Sequence, residues 1–333
     1  MEDFIGTLEQ MGKWFSNHPE NELGDLMRRA EMENPWFTED SLIYCFESWA
    51  NTLNKEDISN WMASYNSAVS AKTIGLIPAG NVPLVGLHDL ICVLASGHKV
   101  RIKFSSKDTV LMKACIDFLI STDSRISQRI EIADRISGID AIIATGSDNT
   151  FRYFENYFGH LPHVFRKNRN SLALITGNES ESELNILGKD IFTYFGLGCR
   201  NITHILFPAG FNTDKFFEAM LPYSDVLNHN KYANNYTYHH ALYLMNQEAF
   251  LDNNFLMLKE SEELYSPIGV IHYQFYKDMS DAESYIANNA EKIQCVVSNK
   301  EGDDYVSFGS SQNPGLSDYA DKVDTMEFLS TLD

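Results

Sequence analysis

The chain has 333 residues, 44% of them hydrophobic, enough apolar material for two folded cores of about 150 residues each. Its 26 basic side chains face 46 acidic ones, a formal charge of -20 that repels phosphate backbones and anionic lipid and argues against a nucleic-acid partner. No stretch has the ~18 to 20 unbroken apolar residues of a membrane helix, MEDFIGTLEQ shows no signal core, and five scattered cysteines form neither a disulfide framework nor a CxxC pair, so a reducing, cytoplasmic setting is expected.

Up to about Ser70 the apolar residues recur at three-to-four spacing: Phe4, Leu8, Met11, Trp14 and Phe15, then Leu42, Ile43, Phe46 and Trp49. That spacing predicts helices. From Lys72 onward short apolar runs alternate with amphipathic stretches. TIGLIPAG precedes VPLVGLHDLICVLAS, VRIKF precedes TVLMKACIDFLI, RIEIAD leads into a short link, and AIIATG precedes NTFRYFENYF. The rhythm predicts parallel strands joined by crossover helices, a sheet whose ligands bind at the carboxyl ends of its strands. A second α/β unit is expected from near Ser171: the strand SLALITG, a helix from Ser180 to about Tyr194, a loop at Cys199, and the strand ITHILFP. Further strands are expected at NFLMLKE, GVIHYQFY and IQCVVS, with AESYIANNA helical between the last two. The tail, SSQNPGLSDYADKVDTMEFL, is turn-rich before a short final element.

Several segments carry side chains suited to chemistry. In YFGLGCRNITHI, Cys199 follows Gly196 and Gly198, where a packing cysteine would have bulky neighbours. Glycine permits strained backbone and close approach, so this segment reads as a loop presenting a thiol. In PAGNVP, Pro78 to Pro83, Asn81 follows a strand end, where its amide suits an oxyanion and equally suits a turn or helix cap. In ATGSDNT, Gly146 and Ser147 follow another strand end, ahead of a helix whose amides suit a phosphate, although an ordinary N-cap explains the wording as well. Glu262 and Glu263 precede a strand broken by Pro267, and read alone they are surface carboxylates. Two basic clusters, HKVRIK with Lys107 and RKNR at Arg166 to Arg169, interrupt the acidic background. The alternation of Lys99, Arg101 and Lys103 with apolar residues is also that of a solvated strand face. His239 with His240, and His160 with His163, lack metal-ligand spacing, and no metal is expected.

In this order, PAGNVPL, the strand-end lysine, ATGS, YFGLGCRN, EELYSPIG and LSDYAD resemble the aldehyde dehydrogenase superfamily, and within it the acyl-CoA reductases of the LuxC type known from bacterial bioluminescence. The resemblance runs from about Lys72 to the C-terminus and implies an α/β fold. A helical N-terminal region plus NAD(P)-binding parallel-sheet domain would occupy residues 1–170, a catalytic thiol domain 171–308, and a tail at 309–333 would pack back or form an oligomer contact. It implies Cys199 as nucleophile and Asn81 as the oxyanion amide. Lys103 would meet the adenosine ribose, Gly146 and Ser147 the nicotinamide and phosphates, and Glu263 the nicotinamide ribose. Where hydrolytic members place a water-activating glutamate, this chain has Arg166 in RKNRNS, which favours thioester reduction with coenzyme A leaving. KFSSK has Ser106 where a glutamate would repel a 2'-phosphate, so NADPH is favoured, with NADH possible. The expected activity is reduction of a fatty acyl-CoA to its aldehyde, in a homo-oligomer and with an acyl-activating enzyme as a further partner. An oxidative aldehyde dehydrogenase, an acyl-phosphate reductase, and a non-catalytic subunit of an acyl-transfer complex are the alternatives.

Overall fold

The apolar spacing of the first stretch does form helices: α1 (Glu2–Ser16), α2 (Leu23–Glu33), α3 (Glu39–Thr52) and α4 (Lys55–Ala63). The structure is a computed structural model that describes residues 2–17, 23–66, 68, 70–146, 148–302 and 304–332. Phe4, Leu8, Met11 and Phe15 form the buried stripe of α1. Side chains of Thr38 and Asn54 accept the backbone N–H groups of Ser41 and Asp57, satisfying donors that the first turns of α3 and α4 leave open. Phe15 stacks on Phe46 with ring centroids 5.3 Å apart, so α1 and α3 share a core.

The strand-and-helix rhythm that follows gives β1 (Thr73–Ile77), α5 (Leu87–Ala95), β2 (Lys99–Ile102), α6 (Thr109–Thr122), β3 (Ile130–Ile132), β4 (Ala141–Thr145), α7 (Asp148–Phe158) and β5 (His163–Arg166). The strands lie in the order β3-β2-β1-β4-β5, every pairing parallel. Ile74, Leu76, Ile142 and Ile143 are buried, as strands covered on both faces require. Trp14 of α1 stacks on Phe118 of α6 at 4.7 Å, which fastens the N-terminal helices to one flank of this sheet. β5 goes beyond the expected strands, because HVFR is too short for a periodic signal.

A second sheet is built from β6 (Asn170–Leu174), then α8 (Glu181–Phe192), β7 (Ile202–Pro208), α9 (Thr213–Met220), α10 (Asn230–Met245), β8 (Leu251–Asp252), β9 (Met257–Glu260), β10 (Val270–Tyr276), α11 (Met279–Asn288) and β11 (Ile293–Val297). Its order is β11-β6-β7-β10-β9-β8, parallel except for the β8–β9 pair. The start of α8 is fixed by a capping box, in which Ser180 and Glu183 satisfy each other's backbone N–H groups. A last helix, α12 (Thr325–Ser330), closes the chain.

These elements form two compact units, Met1–Asn168 with Pro314–Asp333, and Arg169–Asn313. The tail joins the first unit through specific contacts. Trp61 Nε1 donates to the Tyr319 hydroxyl at 2.8 Å, Tyr319 donates to the Tyr65 hydroxyl at 3.0 Å, and Tyr65 donates to Asp324 at 2.6 Å. No described helix is long and apolar enough to cross a membrane.

Candidate functional site

In the first unit the strand order turns between β1 and β4, the place where sheets of this kind take ligands in the crevice beyond their carboxyl ends. The loop after β1 carries Asn81, half-buried at a bend. Gly86, not Asn81, holds the N-cap place of α5, so Asn81 is not spent on capping that helix. At Gly80 the backbone comes so near the loop after β2 that a Cβ would lie 2.5 Å from Ser105 Oγ and 3.1 Å from Lys107 Cβ. Only glycine fits there. Lys103 and Ser106 in that second loop are exposed, and the Lys103 backbone N–H donates to the Leu76 carbonyl of β1 at 2.9 Å. Gly146 follows β4 and donates its N–H to the Arg166 carbonyl at 3.3 Å. The structure thus brings Asn81, Lys103, Ser106 and Gly146 to one edge of one sheet; Ser147 lies outside the described residues.

The N-terminal helices, in which no chemistry was legible, brace this edge. Just beyond α2, Asn34 Nδ2 donates to the carbonyls of Gly80 at 3.4 Å and Lys107 at 3.3 Å, tying the two loops together. Glu33 accepts the backbone N–H groups of Thr109 at 2.8 Å and Val110 at 3.1 Å, the open donors at the start of α6. Asp108, buried between them, accepts the N–H of Leu84 at 2.8 Å. Burial pushes its carboxyl well above the usual range. Sequence reasoning missed all three residues, whose partners lie far away along the chain.

Arg166 requires a correction. A solvated basic cluster would leave its guanidinium available, but it is buried and committed within the first unit. It donates to Asp89 Oδ2 of α5 at 2.7 Å and to Thr325 Oγ1 of α12 at 2.8 Å. The only charge inside the apolar helix LHDLICVLA was the available signal, because a buried carboxylate demands a cation.

The second unit holds Cys199 and Glu263. All five cysteines are outside disulfides, and four are buried, whereas Cys199 is half-buried in the turn that precedes β7. Burial raises the thiol pKa of Cys92 and Cys115 well above the usual value, which suppresses thiolate there. The Cys199 turn is built with strain. Tyr194 and Phe195 have φ of 55° and 57°, and Gly196 continues at 79°, three left-handed residues in succession. Each non-glycine of this kind costs ~1 to 3 kcal/mol and persists only where surrounding contacts impose it. Asn201 supplies such contacts from full burial. Its Nδ2 donates among the carbonyls of Asp190, Ile191 and Thr193 at 3.1, 3.3 and 2.7 Å, and its Oδ1 accepts from Gly198 N–H at 2.8 Å. Phe195 stacks on His229 at 4.3 Å. Ser171 Oγ of β6 donates to the Cys199 carbonyl at 3.0 Å and accepts from Cys295 N–H of β11 at 3.2 Å, fixing the main chain beneath the thiol. The glycines predicted a loop; the strain at Tyr194 and Phe195 carried no sequence signal.

Glu263 is exposed in the irregular segment between β9 and β10. That segment is stitched to β7, which begins just beyond Cys199: Thr203 Oγ1 donates to the Leu264 carbonyl at 2.8 Å, and Ser266 Oγ to the Thr203 carbonyl at 2.8 Å. His204 and His272 are buried beneath it. Burial lowers the His204 pKa to about 4 and lowers that of His272 as well. The unfolded chain therefore binds a proton that the folded chain refuses between about pH 6.5 and 4. Stability contributed by neutral His204 is whole above that window and is lost as pH falls through it, by at most on the order of 3 kcal/mol. Denaturant melts at pH 7.5, 6 and 5 are expected to show a shallower decline for His204→Asn than for the parent; parallel declines would contradict this.

No protein-family model matches the chain, and no curated protein matches it by sequence. Solved structures do match its fold. An oxidoreductase from Marinobacter aquaeolei superposes with a TM-score of 0.62 at 11% identity, over 90% of this chain and 73% of that one. An aldehyde dehydrogenase of Mycobacterium tuberculosis, complexed with NAD+, gives 0.61 at 12% identity, covering 89% and 73%. An NAD-dependent benzaldehyde dehydrogenase from Corynebacterium glutamicum gives 0.65 at 13%, covering 89% and 76%. The fold is aldehyde dehydrogenase-like, with a parallel-sheet unit of Rossmann type, a mixed second sheet and a helical N-terminus.

Proposed function

We propose that this chain is an oxidoreductase of that fold that reduces acyl-coenzyme A thioesters to aldehydes, with NADPH as the preferred reductant. The observation that carries the reading is the setting of Cys199, the one cysteine of the five that is not buried, on a turn whose strain is imposed by Asn201 and its neighbours. The sheet edge suits a dinucleotide in its donor set: an exposed ammonium at Lys103, an exposed hydroxyl at Ser106, and a side-chain-free approach at Gly146 before α7. The M. tuberculosis neighbour complexed with NAD+ supports a nicotinamide cofactor. Exposed Ser106, standing where a glutamate would repel it, and exposed Lys107 beside it support the 2'-phosphate of NADPH.

In this reading the Cys199 thiolate attacks the thioester carbonyl, the carbon–sulfur bond to coenzyme A breaks, and the coenzyme A thiolate leaves behind an acyl group on Cys199. Asn81 is assigned the amide that stabilises the oxyanion, by the likeness of PAGNVPL to the family's wording. A reduced nicotinamide, when bound, would supply the hydride, two electrons, that adds to the acyl carbon. The resulting hemithioacetal oxyanion on Cys199 then collapses, its carbon–sulfur bond breaking to release the aldehyde and return the thiolate. Arg166, at the place of the water-activating glutamate, is paired with Asp89 and is no base. This weighs against the oxidative alternative.

Incubation with NADPH and a series of acyl-CoAs is expected to release free thiol and aldehyde in equal amounts. In the reverse direction, oxidation of an aldehyde by NADP+ is expected only when coenzyme A is present; oxidation without it would overturn the thioester reading. Asn81→Ala is expected to lower kcat about a hundredfold with NADPH affinity unchanged, since one oxyanion donor contributes ~3 to 4 kcal/mol. A loss confined to NADPH binding would contradict that role.

A further inference from the structure

We infer that His204 and His272 are positioning residues: they grip the main chain of Glu263 from below and so hold its exposed carboxylate where a nucleotide ribose can meet it. The inference rests on the proposed reading of Glu263 as the ribose ligand, and it adds residues that neither the sequence motifs nor the fold assign.

The two histidines are register partners on adjacent parallel strands, β7 and β10, so their side chains rise from the same face of the sheet. Both aim Nδ1 at one atom, the Glu263 carbonyl oxygen, at 3.1 Å from His204 and 2.9 Å from His272. A carbonyl oxygen only accepts, so both Nδ1 atoms carry hydrogen, and together they occupy its two lone pairs. Both rings are buried and held neutral, which fixes this tautomer. The carbonyls on either side are held the same way. Tyr285 of α11 donates its hydroxyl to Glu262 at 2.9 Å, and Thr203 of β7 donates to Leu264 at 2.8 Å. The Tyr285 ring also stacks on His204 at 5.1 Å, joining two of the clamping groups.

Three successive carbonyls of a segment without regular structure are therefore each bonded by a side chain from the sheet or from α11. Buried side chains in a sheet ordinarily pack or bond within the sheet's own layer. Here three of them, joined by Tyr285 of α11, spend their donors on a surface segment, and the residue at its centre is exposed. Irregular segments are mobile unless their backbone groups are tied down, and a ligand that must find a carboxylate in one place loses affinity when that segment wanders.

The test uses the whole chain with two probes: NADPH, which carries the nicotinamide ribose, and ADP, which lacks it. Glu263→Gln is expected to weaken NADPH and spare ADP. His204→Ala and His272→Ala are each expected to raise the Kd and KM for NADPH about tenfold, leave ADP within about twofold, and retain kcat at saturating NADPH. Asn at either position, which restores an N–H donor, is expected to recover most of the loss. Tyr285→Phe removes one hydroxyl, keeps the ring on His204, and is expected to weaken NADPH about threefold in a folded protein. If Glu263→Gln weakens NADPH while folded His272→Ala and Tyr285→Phe do not, the inference alone is overturned. Equal losses for NADPH and ADP in the histidine variants would also overturn it, because they would mark general collapse. If Glu263→Gln costs nothing, the ribose reading fails and the inference falls with it.

Discussion

Cys199→Ala is expected to abolish covalent acylation and aldehyde formation together, lowering turnover by about ten-thousandfold or more, while NADPH binding persists. The size of the effect follows from the absence of a substitute. Cys45, Cys92, Cys115 and Cys295 are buried, and burial raises the pKa of Cys92 and Cys115 well above the usual thiol value. None of the four offers an accessible thiolate. Rapid quench with an acyl-CoA followed by aldehyde detection checks both losses in one sample. Aldehyde at near the parental rate from the alanine variant would remove Cys199 from the chemistry.

The second large effect is expected on stability. Asp89→Ala leaves the Arg166 guanidinium buried without its carboxylate, and breaking such a pair from one side costs ~3 to 5 kcal/mol. In a chain of this size that is a fall of about 4 to 7 °C in Tm. Thr325 would still accept from the guanidinium, and a neutral hydroxyl cannot balance a charge. The double variant Asp89→Leu with Arg166→Met is expected to recover most of the loss, since an apolar pair of similar volume needs no compensation. If Asp89→Ala melts within about 2 °C of the parent, the pair does not hold the tail to α5 as described.

Much of this architecture was legible in sequence because each layer repeats with its own period. The stripe Phe4, Leu8, Met11 and Phe15 reads as helix, and the apolar runs at TIGLI and AIIAT read as strands buried on both faces. The capping box at Ser180 and the turn residues before Cys199 give local signals that need no partner. Ion pairs and clamps give none. Asp89 and Arg166 are 77 positions apart, and Glu33 reaches Thr109 across 76. His204 and His272 sit inside ITHILFP and GVIHYQFY, where a histidine in an apolar strand reads equally as core or as ligand. Only the register between β7 and β10 shows that both bond one carbonyl. The left-handed turn at Tyr194 and Phe195 was invisible because neither residue type favours that conformation; the neighbouring Asn201 network imposes it. Residues between α9 and α10 and through β8 had no expected elements, because their apolar side chains follow no sustained period.

The central claim is that Cys199 accepts an acyl group. Intact-mass spectrometry after incubation with a panel of acyl-CoAs of increasing chain length, without reductant, tests it most directly. The account predicts one added acyl mass per chain, mapped by peptide digestion to the segment containing Cys199, and its disappearance on addition of NADPH. No adduct with any member of the panel, or an adduct mapped to another cysteine, would contradict it.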